Sequence, residues 1–444
     1  MFVSAIERQL GGGLAAADLK EAWPFLSVDE RLEGVRLLAI DDLEDLLLGI
    51  SVRDQLDLLR SAAPYEARAW LRFLPPDDVA DLVQQAPATE RTHLLELLDQ
   101  ATRREVTALL AYAEDEAGGL MNPRYARVRP EMRVDEAISY VRRQSSTKLE
   151  MIYYLYVIDG EQRLVGVVSF RELFLAPPDR LVRDVMTTDL VSLPEGMDQE
   201  QVSAIFAEHD LIALPVVDTE GRMKGIVTAD DIVDVVREEA TEDIQKFGGM
   251  EALEAPYLET PFWAMLQKRA GWLAVLFVGE MLTATAMGHF EREIARAVFL
   301  ALFVPLIISS GGNSGSQAST LVVRAMALGE LGVTDWWRVV RRELASGVVL
   351  GGILGLFGLL RILLWQGVFD SYGGHATALG LTLAASLVGV VTFGTLAGSM
   401  LPLALRRLGF DPASASAPLV ATLVDVSGIV IYFLAASFFL ADLL

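Results

Sequence analysis

Five long apolar stretches after Pro261 constrain the fold of this chain more than any other feature. They cover roughly 271–290, 297–322, 345–365, 378–403 and 418–440. At 1.5 Å of rise per residue, each is long enough to cross about 30 Å of hydrocarbon as a helix. Because lipid offers no partner to backbone polar groups, stretches of this kind must satisfy them within a helix. The sequence therefore predicts an α-helical membrane domain with five transmembrane helices over 270–444.

The charge of the 444-residue chain divides at about the same place. Its net charge is −23, although 52% of its residues are hydrophobic. Residues 1–260 contain 50 Asp and Glu against 26 Lys and Arg, whereas residues 261–444 contain 10 against 11. An acidic soluble part therefore precedes a nearly neutral membrane part. The sequence has no cysteine, which excludes disulfides and thiolate metal sites.

Basic residues indicate how the chain crosses the membrane. They lie before the first crossing, between the second and third, and between the fourth and fifth: Lys268, Arg269, Arg324, Arg338, Arg341, Arg342, Arg406 and Arg407. By the positive-inside tendency, this side is cytoplasmic. The first residues, MFVSAIERQLGGG, also lack the basic start and apolar core of a signal peptide. We expect a multi-pass protein of a bacterial-type inner (plasma) membrane, with the N-terminal half in the cytoplasm and the C-terminus outside.

Polar residues inside the apolar stretches are the first functional candidates. The second stretch contains SSGGNSGSQ over 309–317, whose polar groups need other helices or a wet cavity as partners. A packing face of small residues is the alternative interpretation. Glu280, in the first stretch, is interpreted as an interhelical hydrogen-bonding group. Asp425, within PLVATLVDVSG of the fifth, is the strongest candidate, because an acid inside the membrane is a functional-site hypothesis by default.

Two similar segments occupy the middle of the soluble part. Residues 155–174 and 214–233 align without a gap at an offset of 59 residues, and each has the pattern strand, acidic turn, strand, helix. This pattern resembles a tandem pair of cystathionine-β-synthase-type (CBS) regulatory domains over 121–246, divided into about 121–183 and 184–246. Before it, leucines at helical spacing behind Asp, Pro or Thr predict short capped helices. We expect an acidic all-α superhelix domain over 1–120, followed by the α/β CBS pair.

The stretch 195–260 is strongly acidic, with 17 Asp and Glu against 4 Lys and Arg. Asp231, Asp234 and Glu238 recur along one helix face, where like charges repel each other. A solvated acidic face is one explanation of this pattern. Hard divalent cations, which bind carboxylate oxygens and water, are the alternative. The sequence contains no catalytic triad, phosphate loop or histidine metal cluster, so we expect no enzymatic activity.

These features together resemble the MgtE family of magnesium channels. The motifs that carry the resemblance are GGNSGSQ, PLVATLVDVSG and YAEDEAGGLM at 112–121. The resemblance implies a Mg²⁺-selective channel or transporter for magnesium uptake, closed by cytoplasmic Mg²⁺ that binds the acidic helical and CBS domains. It also implies a homodimer in the lipid bilayer, with the pore between the subunits, and no nucleic-acid partner. A linking, plug-type helix over 247–269 would precede the pore domain.

The resemblance also assigns roles to individual residues. Asp425 would hold hydrated Mg²⁺ in a pore lined by Gly311, Gly312, Asn313, Ser316, Gln317, Ala421, Asp425 and Gly428. The cytoplasmic gating ligands would be Asp77, Asp198, Glu200, Asp210, Asp231, Asp234, Glu239, Glu242 and Asp243, with Asp45 and Asp411 assigned more loosely. The cofactor is Mg²⁺, and ATP at the CBS pair is left open. Tyr154 and Arg171 fit a nucleotide site, but Glu172 and Leu211 do not.

Two other classes of function stay open at the level of the sequence. The first is an ion-coupled secondary transporter of divalent cations, which would need broken helices and alternating access. No inverted repeat is visible in the five crossings, as many such transporters have. The second is a CBS-regulated membrane Mg²⁺ sensor without flux, in which the polar second crossing would serve packing.

Overall fold

A computed structural model describes residues 14–144, 149, 151–253, 255–258, 260–369 and 372–441. Its residue contacts divide the chain into two compact units, and the boundary in the sequence lies between Val236 and Arg237. The first unit contains short helices and two small sheets, and the second contains helices of membrane length.

Short helices make up the first part of the first unit. Their bounds are α1 Ala16–Ala22, α2 Val28–Leu37, α3 Ile40–Gly49, α4 Val52–Ser61, α5 Pro64–Trp70, α6 Pro76–Gln85, α7 Ala88–Leu97, α8 Gln100–Leu109 and α9 Ala117–Leu120. Local sequence explains several starts: Ser27 and Glu30 form a capping box on α2, and Asp99 caps α8. Leucines at helical spacing point inward, so that Leu46 and Leu58 are fully buried. The predicted helical domain is confirmed.

Two three-stranded sheets follow in the same unit. Their elements are β1 Tyr125–Val128, α10 Val134–Gln144, β2 Met151–Ile158, β3 Leu164–Ser169, α11 Phe170–Leu175, β4 Leu193–Pro194, α12 Gln199–His209, β5 Ala213–Val217 and β6 Met223–Thr228. In each sheet the first strand pairs in parallel with the second, which pairs antiparallel with the third. Asp159 and Asp218 make the same turn, because each Oδ1 accepts hydrogen bonds from the backbone N–H groups two and four residues later. The tandem CBS pair is confirmed.

Helix α13, Ala229–Phe247, continues from the second sheet. It ends at two glycines, of which Gly249 has φ +75°, a conformation that glycine adopts without strain. The following segment runs beside the next helix, where the Glu251 N–H donates to the Lys268 carbonyl at 3.1 Å. The described residues between 248 and 261 contain no helix. The helix of this region therefore lies at Ala229–Phe247 and not at the expected 247–269, because the glycines interrupt it.

Five helices of the described second unit are long and apolar enough to cross a membrane. They are α14 Phe262–His289, α16 Val304–Ala327, α17 Trp336–Phe369, α18 Ala376–Arg407 and α19 Ala417–Phe439, and the short α15 Glu291–Arg296 follows α14. Their number and order confirm the five predicted crossings. The basic residues named above lie at the start of α14, the end of α16, the start of α17 and the end of α18. In an up-and-down series of crossings these positions share one side.

Glycines allow two of the membrane helices, α16 and α18, to approach closely. A Cβ on Gly394 of α18 would lie 2.5 Å from the carbonyl oxygen of Gly311 in α16, and one on Gly398 would lie 2.1 Å from that of Gly315. Close backbone contact of this kind drives helix association in lipid, where burial of apolar surface contributes little. Helix α14 differs, because Leu276 is its one buried residue, and it packs mainly on α19.

Candidate functional site

The Asp425 carboxyl lies in the first half of the last membrane helix. Helix α19 begins behind Ser416, whose hydroxyl accepts a hydrogen bond from the Leu419 N–H at 3.3 Å. Asp425 follows Ala417 by eight residues, or about 12 Å along the axis, and is partly buried. Its carboxyl lies close enough to the carboxyl of Glu280 in α14 for the two groups to interact electrostatically. Glu280, interpreted from the sequence as an interhelical hydrogen-bonding group, is thus near the other acid of interest, and its hydrogen-bonding role stays a prediction.

A close approach of α14 to α19 makes this contact. A Cβ on Gly279 would lie 2.6 Å from Cγ2 of Thr422, so a larger residue at position 279 would force the helices apart. Thr422 lies one turn before Asp425, and Gly279 directly precedes Glu280. This approach of the two helices therefore brings Glu280 and Asp425 near each other.

One face of α16 is polar and exposed in the single chain. Ser309, Asn313, Gln317 and Thr320 follow each other at steps of three and four residues and are all exposed. Exposed polar side chains at membrane depth need water or a second protein surface. The face is therefore suited to line a wet path or a subunit contact. Thr320 was not predicted, although its helical spacing from Gln317 was visible in the sequence.

Three of the predicted pore-lining residues lie where α16 meets α19. A Cβ on Gly312 would lie 3.5 Å from Cβ of Ala421, which is ordinary contact. Ser316 Oγ donates to the Ala417 carbonyl at 3.4 Å, at the first residue of α19. The start of α19, four to eight residues before Asp425, is therefore fixed beside the polar run of α16.

Two other predicted pore-lining residues have a different environment. Gly311 and Gly428 are buried, and added Cβ atoms would lie 2.4 Å and 3.3 Å from Val390 Cγ1 of α18. In this chain both glycines serve helix packing, because their faces turn toward α18 and away from the polar face of α16.

Acids of α6 and of the start of α13 face one another in the first unit. Burial, and then repulsion by Asp230 and Asp234, raises the pKa of Asp78 to about 6. Burial also raises the pKa of Asp231 to about 7, although Thr228 Oγ1 donates to its carboxylate at 2.7 Å, and Asp230 and Asp78 add to this rise. We call Asp78, Asp230, Asp231 and Asp234 the α6–α13 acid cluster. Asp78 was not predicted, although it directly follows Asp77.

Several predicted gating ligands have structural partners in the single chain. Asp77 is buried on α6 and accepts a hydrogen bond from Nδ2 of Asn122 at 3.0 Å. Asp198 caps the start of α12 by accepting from the Glu200 N–H. Asp210 ends the same helix with φ +51°. These carboxylates would have to exchange or share such partners in order to bind a cation.

The remaining predicted ligands are dispersed. Asp45 and Glu200 are exposed, whereas Glu239 and Asp243 are partly buried in the second half of α13. Among the residues that the structure describes, no group of three or more His, Cys, Asp or Glu is arranged to hold a metal ion. The role of these residues as gating ligands stays a prediction.

A lysine links two of the predicted cation ligands in the second unit. Lys246 Nζ lies 2.7 Å from Oδ2 of Asp411 and forms a second ion pair with Glu242, one turn earlier on α13. Burial alone would lower the pKa of Lys246, but the hydrogen bonds to Asp411 and Glu242 outweigh it and raise the pKa. We call these three residues the Lys246 bridge. A cavity of about 410 Å³ lies beside it, and its lining includes Glu242, Lys246, Met250, Glu251, Trp272 and Ser414.

Lys246 was not predicted as part of a site. Its four-residue spacing from Glu242 is a visible signal for an ion pair on a helix. Its contact with Asp411 joins residues 165 positions apart in the sequence, and no local pattern reports such a contact.

The two candidate nucleotide-binding residues lie near one end of the first sheet. Tyr154 of β2 pairs with Ser169 of β3, and Arg171 is in the first turn of α11. Glu172, which departs from the family pattern, is engaged in a capping box with Ser169. Its carboxylate therefore stabilises the start of α11.

Family models match most of the chain. The model described as a divalent cation transporter, MgtE, matches residues 304–435, and that of the MgtE intracellular N domain matches residues 14–115. The CBS domain model matches residues 117–179 and 182–238. Inosine-5′-monophosphate dehydrogenase of Aquifex aeolicus is 33% identical over 124 residues, which is 27% of this chain.

Several characterised relatives are similar over most of their length. The magnesium transporter MgtE of Thermus thermophilus is 40% identical over 418 residues, or 94% of this chain and 91% of that protein. MgtE of Bacillus subtilis is 31% identical over 91% of this chain and 88% of its own length. A crystal structure of the cytosolic domain of the Mg²⁺ channel MgtE in complex with ATP is 40% identical, with a TM-score of 0.48 over 50% of this chain and 90% of that one. The chain therefore belongs to the MgtE family of magnesium transporters.

Proposed function

We propose that this chain is a Mg²⁺-selective channel for magnesium uptake, with Asp425 as the residue that holds the ion in the pore. The observation that carries the proposal is the position of this acid inside the last crossing, on the helix that contacts the polar run of α16. A relative named as a magnesium transporter is 40% identical over 94% of this chain, and the divalent cation transporter model matches residues 304–435. Ion transport, and no covalent reaction, is the proposed activity.

The chemistry of Mg²⁺ agrees with a single carboxylate per chain. Mg²⁺ loses its water reluctantly and usually keeps several waters in protein sites. A pore can therefore hold the hydrated ion through the field of a carboxylate and through hydrogen bonds to the bound water. In the proposed homodimer, two Asp425 carboxylates across the axis offset the charge of one Mg²⁺. Asn313 and Gln317 would contribute polar groups along the same path.

The proposed placement in the membrane follows from the crossings and their charges. With five crossings, the soluble N-terminal part and the C-terminus lie on opposite sides. By the positive-inside tendency, the basic residues at the helix ends favour a cytoplasmic location for the N-terminal part. We assign the chain to the inner (plasma) membrane on these grounds, with residues 1–120, 121–246 and 270–444 as the helical, CBS and pore domains.

The proposed regulation is closure by cytoplasmic Mg²⁺. The α6–α13 acid cluster brings like charges from the helical domain and the second CBS repeat near one another. Burial, and then repulsion within the cluster, raises the pKa of Asp78 and Asp231. A divalent cation bound there relieves this repulsion and favours the compact arrangement, which is a population shift driven by differential affinity. Asp77, Glu239, Glu242 and Asp243 are proposed further ligands. ATP at Tyr154 and Arg171 is a secondary proposal, because two residues of the expected pattern differ.

The test of the pore assignment uses full-length protein in liposomes with a Mg²⁺ indicator inside. We expect Asp425→Ala to fold and to lose Mg²⁺ flux. We expect Asp425→Asn to lose preference for divalent over monovalent cations, because an amide binds water without a charge. Ser427→Ala, on the same helix, is the matched control, since its hydroxyl donates to the Leu423 carbonyl of its own helix at 2.9 Å. Parental Mg²⁺ flux through Asp425→Ala would overturn the assignment.

Single-channel recordings under a Mg²⁺ gradient separate the rival functions. Discrete openings support the channel, whereas saturable turnover without openings would identify a coupled transporter. Complete silence in vesicles that contain folded protein would identify a sensor without flux.

A further inference from the structure

The indole of Trp272 lies where three segments of the second unit meet. Trp272 is about three turns into α14 and is partly buried. Its Nε1–H donates to Ser416 Oγ at 3.3 Å, and Ser416 is the residue that caps the start of α19. A Cβ on Gly249 would lie 2.8 Å from Cδ1 and Nε1 of the same ring. One indole therefore packs against both the segment that follows α13 and the start of the helix that carries Asp425.

The backbone after α13 is held closely at this point. A Cβ on Gly249 would also lie 3.3 Å from Cγ of Pro418, in the first turn of α19. Two residues later, the Glu251 N–H donates to the Lys268 carbonyl at 3.1 Å, one turn before Trp272. With φ +75°, position 249 also needs a conformation that glycine adopts without strain. The close approach therefore depends on the glycine that follows α13.

Helix α13 joins this contact to the acids of the soluble part. The helix begins with three acids of the α6–α13 acid cluster and ends at Phe247, about 27 Å along its axis. The indole of Trp272 also lines the cavity beside the Lys246 bridge, which is formed by the last turns of α13. A displacement of the end of α13 must therefore either carry the start of α19 with it or break the packing at Trp272.

We propose that Trp272 is a positioning residue that couples α13 to the pore helix α19. When cytoplasmic Mg²⁺ holds the acids of the cluster together, the end of α13 stays against the indole, and the indole holds the start of α19 through Ser416. Asp425 follows on the same helix. The inference rests on the proposed closure by cytoplasmic Mg²⁺ and adds to it the side chain through which the soluble part acts on the pore.

Two simpler roles for Trp272 predict different results. A tryptophan near the membrane surface can serve as an anchor, because its ring is apolar and its N–H is polar. Loss of an anchor, or of a packing contact alone, reduces the amount of folded protein but leaves the Mg²⁺ concentration for half-inhibition unchanged. Loss of coupling changes that concentration in protein that folds and conducts. The inhibition midpoint, measured separately from the maximal current, therefore distinguishes the roles.

The experiment records currents of full-length variants in liposome patches while Mg²⁺ is varied on the side of the soluble part. We expect Trp272→Phe, which keeps a ring but has no N–H, to need about fivefold more Mg²⁺ for half-inhibition, the effect of one hydrogen bond. Trp272→Ala, which also loses the ring packing, should need at least about tenfold more. Both should keep the parental maximal current at low Mg²⁺. Trp263→Phe and Trp263→Ala are the matched controls, because this exposed tryptophan of α14 contacts Phe262 of its own helix.

A double-mutant cycle tests the hydrogen bond itself. Ser416→Ala removes the acceptor and also the cap of α19, so it shifts the midpoint on its own. Because Trp272→Phe removes the same hydrogen bond, it should add little further shift in the Ser416→Ala background. Full additivity of the two shifts would show that the indole N–H does not act through Ser416 and would overturn the inference. If Trp272→Ala folds poorly, Trp272→Phe and this cycle decide the question.

Two further results would overturn the inference. They are a parental midpoint in the Trp272 variants, or the same shift in the Trp263 controls. The parent protein in the same recordings separates these results from failure of the proposed regulation. If Mg²⁺ on the side of the soluble part inhibits the parent and the Trp272 variants alike, the coupling role alone is wrong. If Mg²⁺ does not inhibit the parent, the proposed regulation is wrong and the inference fails with it.

Discussion

The charge of Asp78 should destabilise α6 at neutral and alkaline pH when Mg²⁺ is absent. Burial and the nearby Asp230 and Asp234 raise its pKa from the ordinary 3.8 to about 6. In the unfolded chain the pKa stays near its ordinary value. The folded state therefore binds the proton more tightly, and its stability falls as pH rises from about 4 and is lowest above about 6.

The size of this effect follows from the shift. A rise of about two pKa units corresponds to about 3 kcal/mol, which is an upper bound because Asp78 is partly exposed and screened by solvent. We expect Asp78→Asn to stabilise α6 by about 1–2 kcal/mol at pH 8 without Mg²⁺, which means roughly 5- to 30-fold less local opening. At pH 5 the parent carboxyl is mostly protonated, so the variant should differ little.

Hydrogen exchange of α6 amides in the full-length protein measures this opening. Parent and variant are compared at the same pH, so that the intrinsic exchange rate cancels. Asp41→Asn removes the same charge from an exposed position on α3 and serves as the control. Addition of Mg²⁺ at pH 8 should protect the α6 amides of the parent from exchange, and it should add less protection in Asp78→Asn. Equal protection of parent and variant at pH 8, or the same gain in Asp41→Asn, would refute the reasoning.

Two further predictions concern closure by cytoplasmic Mg²⁺. The first is that joint neutralisation of Asp231, Asp234, Glu239 and Glu242 leaves a channel that stays open at millimolar-scale internal Mg²⁺. In this variant Mg²⁺ should also no longer protect the soluble part from protease. Equal inhibition of parent and variant by Mg²⁺ would contradict the prediction. The second is that Lys246→Met lowers the Mg²⁺ concentration needed for inhibition about fivefold in patch recordings. The variant leaves Glu242 and Asp411 without their ammonium partner, and a partly exposed ion pair of this kind contributes about 1 kcal/mol. Lys246→Arg retains the charge and is its control, and an unchanged inhibition constant would count against a role of the bridge.

The sequence predicts those parts of this protein that depend on local patterns. Five crossings follow from length and hydropathy alone, and the CBS pair follows from a 59-residue repeat whose two aspartate turns are the same in the structure. The local sequence also explains why no helix spans the predicted range 247–269. Gly248 and Gly249 end α13 early, and a Gly–Gly pair after a helical run is a visible stop signal.

Contacts between distant residues could not be predicted in the same way. Glu280 and Asp425 are 145 positions apart, and Lys246 and Asp411 are 165 apart. No periodicity reports which acid of one helix meets which acid of another, because the contact depends on helix packing at Gly279. Asp198 caps the start of α12 and Asp210 lies at its end, so an aspartate that the sequence suggests as a cation ligand can also serve backbone geometry.

The α6–α13 acid cluster and the Lys246 bridge differ in their electrostatic environment when Mg²⁺ is absent. This difference determines which of the two groups responds more strongly to the ion. In the α6–α13 acid cluster, Asp78 faces acids of the same sign, so a bound cation removes repulsion and adds attraction. At the Lys246 bridge, Glu242 and Asp411 already face an ammonium group, which Mg²⁺ must displace first. A ligand shifts an equilibrium only by its differential affinity for the two states. The differential affinity for Mg²⁺ is larger where repulsion between acids destabilises the compact arrangement without a bound cation. We therefore expect the acid cluster to sense cytoplasmic Mg²⁺ and the Lys246 bridge to set the concentration at which the sensing takes effect.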